Sequence, residues 1–128
     1  MEAAALDQDA ALLRPQETLL NAFRRINPDS TPNHAQAALA RFLFRNTAAQ
    51  RTVQSLSGGE RLRAALACVL SGARPPQLLI LDEPTNHLDL ESLTAVERAV
   101  AAYDGALVIV SHDEDFLKGV GIQRRLSL

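Results

Sequence analysis

Tryptophan is absent from this 128-residue chain, tyrosine and methionine occur once each, and aromatic residues make up only 4% of it. Its core must therefore be mostly aliphatic, and leucine and alanine dominate the 47% hydrophobic content. The single cysteine, Cys68, excludes an internal disulfide and fits a reducing compartment. Lying in a helical pattern, it reads as a small buried residue. No apolar run approaches the ~18 residues of a membrane span, and Met1-Glu2 opens no signal peptide, so a cytoplasmic location is expected. Neither charge sign is in large excess: 13 basic and 15 acidic residues leave a formal net charge of −2. That balance gives no support for a basic nucleic-acid surface, although a local patch remains open. The length fits one domain, with no internal repeat and no low-complexity tract.

What is present begins as helices. In "PQETLLNAFRRINP", Leu19, Leu20, Phe23 and Ile26 share one side and Pro28 ends the run. In "TPNHAQAALARFLFR", Thr31 is placed to cap, Pro32 suits the first helical position, and Ala35, Ala38, Leu39, Phe42 and Leu43 form a stripe. "SLSGGERLRAALACVL" continues the plan, with Leu62, Ala65, Leu66, Val69 and Leu70 on one face and Gly72 as a stop.

After "GARPP" the texture changes. "QLLILDEP" is a short apolar run closing on two acids, and "GALVIVSHD" repeats that design. Runs without polar alternation predict parallel strands covered on both faces. Between them "DLESLTAVERAVAAYDG" predicts a helix carrying Leu93, Val96, Val100 and Tyr103, capped by Asp89 and ended by Gly105. The spacing predicts a right-handed βαβ unit. Ligands bind at the carboxyl ends of such strands, so Asp82, Glu83, Ser111, His112 and Asp113 should gather on one rim.

Each candidate has a plainer reading beside it. Asp82 and Glu83 end a strand side by side and point to opposite sides. One could hold a hard cation and the other accept a proton from an attacking water, or both could simply begin a loop that Pro84 turns. His112 follows the second strand, where Ser111 or Asp113 could cap a short helix through "EDFLKG" and leave the histidine a bystander. His34 is expected to face solvent, and His87 lies in the turn after Pro84. The spacing of His87, His112 and Asp82 matches no zinc signature. Ser57 and Glu60 form a capping box, which explains neither Gly58 nor Gly59. Glycine in a helix costs about 0.8–1.0 kcal/mol relative to alanine. Bare backbone at a helix start lets an anion reach free N–H groups, and phosphate is the obvious one.

"LSGGE", then "LLILDEPTNHLD", then "VIVSHD" resembles the second half of an ABC-type ATPase cassette, over about residues 6–126. Leu56–Glu60 resemble the signature motif, Leu78–Glu83 the Walker B strand, Asn86–Asp89 the D-loop and His112 the switch histidine. "LDQD" is similar to the segment that carries the Q-loop glutamine, here Gln8. "TNHLD", Glu60 and "FLKGVGIQRR" resemble the ABC-F branch, whose members have paired cassettes, lack membrane spans and mostly act on ribosomes.

The resemblance implies an α/β chain with a partial P-loop NTPase-type fold over 1–128. A helical subdomain (about 9–72) would be followed by a βαβ parallel-sheet half-core (about 73–128). It implies ATP and Mg²⁺ as ligands, with Asp82 helping to hold the metal and Glu83 as general base. Gln8 would sense metal and water, and His112 would contact the γ-phosphate. Ser57, Gly58 and Gly59, with Glu60 completing the motif, would clasp the γ-phosphate of a nucleotide held mainly by a second cassette, and Asp89 would communicate across that interface. Ribosome or RNA contact belongs to the same implication.

One motif of the family has no counterpart here. The P-loop pattern Gly-x-x-x-x-Gly-Lys-Ser/Thr cannot be placed, because the only lysine is Lys118, preceded by Phe116 and Leu117. In the family that motif precedes the Q-loop glutamine, so the chain is expected to be part of a cassette, inactive alone and leaving apolar sheet edges uncovered. Two other readings stay open: a nucleotide-binding subunit of an ABC transporter, and a non-catalytic module supplying a signature face in trans.

Overall fold

The computed structural model of the chain describes residues 3–86 and 88–119. Among these residues five α-helices and three strands follow in the order β1 (Ala3–Leu6), α1 (Leu19–Ile26), α2 (Pro32–Arg41), α3 (Gly58–Leu70), β2 (Leu78–Asp82), α4 (Leu90–Ala102), β3 (Ala106–Val110) and α5 (Glu114–Gly119). Two short 3₁₀ turns, Asn46–Gln50 and Val53–Ser55, join α2 to α3.

Local chemistry explains most boundaries. Thr18 caps α1 by accepting from Asn21 N, and Thr31 caps α2 by accepting from His34 N with Pro32 in the first turn. Such caps satisfy amides that have no partner within the helix. The apolar stripe of α2 outruns the helix itself: it stops at Arg41, and Leu43 takes φ 74°, so Phe42 and Leu43 leave the helix on a turn. Asp89 caps α4 and Asp113 caps α5, the latter accepting from Phe116 N at 3.0 Å.

The sheet is parallel throughout, in the order β1-β2-β3, with Leu78–Leu81 paired to Ala3–Leu6 on one side and Leu78–Asp82 to Ala106–Val110 on the other. The β2–α4–β3 crossover matches the sequence expectation; β1 adds a third strand that the local pattern does not announce. Alanine favours helix, and Ala3–Leu6 become extended by pairing with a strand more than 70 positions away.

Helix α3 is the centre of the molecule, packing against α1, α2, α4 and β1. Every residue from Leu62 to Val69 is buried. Arg63, the one charged member of that run, places its guanidinium 4.8 Å over the Phe44 ring and donates to Phe42 O at 3.2 Å. Cys68 is buried as expected, and burial pushes its thiol up to about 12, which makes it inert as a nucleophile.

The two strands read as covered on both faces are covered on one. Leu79 and Leu81 are fully buried, while on the other face Val108 and Val110 are 48% and 50% exposed. The register puts Ala5, Ile80 and Val108 in one row, with Asp82 and Val110 at its carboxyl end. An apolar strand of this kind is prone to self-pairing. Val108→Lys is therefore expected to lower concentration-dependent self-association with little loss of thermal stability, as light scattering and a melting curve would show. Equal scattering from both proteins would refute this.

Candidate functional site

The carboxyl ends of β2 and β3 carry the rim that the topology predicts. Strand β2 closes on Asp82, and Glu83 stays attached to the neighbouring strand by donating its N–H to Val110 O at 2.6 Å. Its backbone then enters the left-handed region at φ 46°. That region costs a non-glycine residue about 1–3 kcal/mol unless the surroundings impose it. The turn lifts the Glu83 side chain out of the strand, and Oε1 comes to 3.5 Å from His112 Nε2. The His112 ring is otherwise in the open, with a side chain 97% exposed.

Around this pair the turn after β2 is pinned from two sides. Thr85 Oγ1 donates to Asp113 Oδ2 at 3.1 Å, which ties it to the start of α5. Gln8, just past the end of β1, donates through Nε2 to the carbonyl oxygens of Pro84 and Asn86. Thr85 is the rim residue that sequence reasoning passed over; its position beside Pro84 is the signal that was available. Asp82 remains exposed on the open face of the sheet, beside a pocket of about 320 Å³ that Ile80, Val110 and Asp7 also line. A larger groove, about 750 Å³, lies between the end of α2 and α4 and contains none of the rim residues.

The start of α3 forms the second part of the site. Ser57 Oγ accepts from Glu60 N at 3.2 Å while Glu60 Oε1 accepts from Ser57 N at 3.0 Å, a complete capping box. Arg51 grips Glu60 in turn, with Nη1 2.7 Å from Oε2 and Nη2 3.4 Å from Oε1. This hydrogen bonding holds the Glu60 carboxyl below its ordinary range. Gly58 and Gly59 are the first two helical residues, whose amides an α-helix leaves without partners.

These glycines also lie close against two side chains of the same chain, whose flexible ends a Cβ would displace. A Cβ on Gly58 would stand 2.9 Å from Gln8 Oε1, and one on Gly59 would stand 2.5 Å from Leu88 Cδ2. The contacts bring Gln8 beside the signature-like glycines, and through Leu88 they bring the segment before Asp89 there as well. Asp89 Oδ2 accepts from Ser92 N at 3.4 Å as the cap of α4. Glu83, His112, Gln8, Gly58, Gly59 and the Leu88–Asp89 segment thus form one continuous line of neighbours. His34 lies elsewhere, exposed but with its ring edge-on to Phe23 and Nε2 3.0 Å from Ser71 O. His87 lies outside the described residues.

The family model described as "ABC transporter" matches residues 2–86. The chain belongs to the ABC transporter family. ATP-binding protein Uup of Escherichia coli (strain K12) is 39% identical over 121 residues, covering 91% of this chain and 19% of that protein. Probable ATP-binding protein YheS of Haemophilus influenzae is 40% identical over 106 residues, 83% of this chain and 16% of the relative. Among solved structures, a dimeric post-hydrolysis state of the ATP-binding cassette MJ0796 bound to ADP and Pi superposes with a TM-score of 0.71 at 21% identity. It covers 92% of this chain and 55% of that one. The α/β architecture is thus that of an ABC cassette, of which this chain spans about half, and it spans less than a fifth of these two curated relatives.

No cluster of His, Cys, Asp or Glu able to hold a metal occurs among the described residues. No helix among the described residues is long and apolar enough to cross a membrane.

Proposed function

We propose that this ABC-family chain is the signature and Walker B part of an ABC-F-like ATPase, one partial cassette domain over 1–128 with a helical part at about 9–72 and a half-core at about 73–128. In this reading it acts on ATP in the cytoplasm, together with a second cassette that completes the nucleotide site. The Glu83–His112 pair at the end of a parallel sheet is the observation that carries the proposal. A carboxylate in reach of an imidazole, lifted from its strand by a left-handed turn, suits a base that takes a proton from water, with the imidazole beside it to contact the γ-phosphate.

The remaining residues divide the work by position. Asp82, exposed at the strand end, is the group for Mg²⁺, and Gln8, held by its amide on the turn after β2, is the group that senses metal and water. The metal, when bound, supplies charge neutralisation on the phosphates. Gln8 reports the state of that half to Gly58 through contact, and Asp89 stands at the base of α4 where a second cassette would meet it. Gly58 and Gly59 offer amides without helix partners at the positive end of a 13-residue helix, with the Ser57 hydroxyl beside them, suited to the terminal phosphate of a nucleotide carried by the other cassette. The dimeric state of the MJ0796 cassette supports a two-cassette arrangement, and the Uup and YheS relatives support the ABC-F-like branch. Closure of the pair on ATP, with the ribosome or RNA as partner of the full protein, is the corresponding whole-protein activity.

The test is reconstitution. This chain is mixed with a P-loop-bearing cassette whose own signature serine has been changed to arginine, and phosphate release is followed. Stimulation that depends on Ser57 of this chain supports the reading. No stimulation, or stimulation unaffected by Ser57→Arg, would overturn it.

A further inference from the structure

The start of α3 contains an electrostatic contradiction that the structure resolves. An anion drawn to the amides of Gly58 and Gly59 meets Glu60, whose Oε1 is already 3.0 Å from the Ser57 amide in the same turn. Two like charges within a few ångströms repel strongly wherever water is partly excluded. Glu60 is not left as a bare charge. Arg51, from the turn between the two 3₁₀ segments, binds both of its oxygens and anchors itself by donating to Ser55 O at 3.0 Å. Arg63 also comes near, with Nη2 3.9 Å from Oε2. Arg63 is held over Phe44 and bonded to Phe42 O, so it cannot move in to replace Arg51.

We propose that Arg51 is a positioning residue for the signature motif: it cancels the charge of Glu60 and holds that carboxylate on the Ser57 amide, so that the neighbouring amides accept a phosphate. This rests on the function proposed above. Arg51 touches no phosphate itself and acts only through Glu60.

The experiment measures binding rather than turnover. Calorimetry gives the Kd of this chain for a P-loop-bearing cassette that is loaded with Mg-ATP and blocked in hydrolysis. Arg51→Gln is expected to raise Kd about tenfold, the scale of one poorly screened charge contact, while Arg51→Lys raises it by no more than about threefold. Adding Glu60→Gln to Arg51→Gln is expected to recover most of the loss, because glutamine keeps the capping box and removes the charge. At about 1 M salt, where the Debye length is near 3 Å, the penalty of Arg51→Gln shrinks. If the double variant binds as poorly as Arg51→Gln at an unchanged melting temperature, Arg51 acts as a simple strut and the proposal fails. If the unmodified chain does not associate with the ATP-loaded cassette at all, the signature reading itself fails, and this inference with it.

Discussion

Under the proposed function, Glu83→Gln is expected to abolish ATP turnover by the cassette pair and to leave ATP-dependent association in place, the largest effect expected of any single substitution in the chain. Glutamine is nearly isosteric with glutamate, so the left-handed turn at φ 46° and the N–H bond to Val110 O survive. What disappears is the basic oxygen that stands 3.5 Å from His112 Nε2. Loss of a positioned general base costs roughly 10²–10⁴ in rate, with no corresponding cost in ground-state binding. Phosphate release and sedimentation in Mg-ATP, measured side by side, check both halves. A variant that keeps more than about a tenth of the parent rate, on the same scale, would remove Glu83 from the chemistry. His112→Ala should lower the rate as well, by less, since a residue that contacts the phosphate beside the base matters less than the group that takes the proton.

The second large effect concerns stability. Leu66 is fully buried in the middle of α3, the helix that touches α1, α2, α4 and β1. Leu66→Ala removes three carbons from a place where no single element can close over the gap. Such truncations cost about 2–5 kcal/mol, against a total of about 5–15 kcal/mol for a typical domain. The expected result is a large drop in the urea midpoint, with helical and sheet signals lost together. Because α3 serves both parts, a transition in which the helical signal fell first and the sheet persisted would show two separate units. A loss below about 1 kcal/mol would mean that the site collapses without strain.

Much of this arrangement is legible along the chain. Thr31-Pro32, Ser57-x-x-Glu60 and Asp89 announce helix starts through local hydrogen bonding, and α2, α3 and α4 begin where those residues stand. "LLILD" and "ALVIV", separated by a capped helix, specify a parallel crossover because few other connections fit the chain length. With the crossover comes the rim: once both strands run the same way, Glu83 and His112 must share an end, and they do. The double glycine was half legible. Its exposure of amides follows from its place at a helix start, but its fit against Gln8 and Leu88 depends on segments 50 positions before it and 29 after it.

Patterning and spacing by themselves determined an α/β chain with a parallel crossover, which residues carry charge at the strand ends and where most helices begin; the resemblance to an ABC cassette came from the quoted motifs. Those properties are set by neighbours within a turn or a strand, so the linear string contains them. Tertiary structure alone decided that Ala3–Leu6 would be a strand, that one sheet face would stay open at Val108 and Val110, that Glu83 would leave its strand left-handed, and that Arg51 would close on Glu60. Each of these depends on the relative placement of segments whose own preferences are weak or contrary. Alanine prefers a helix until a partner strand claims its amides, and a glutamate takes a strained backbone only where the surrounding pairing holds it there.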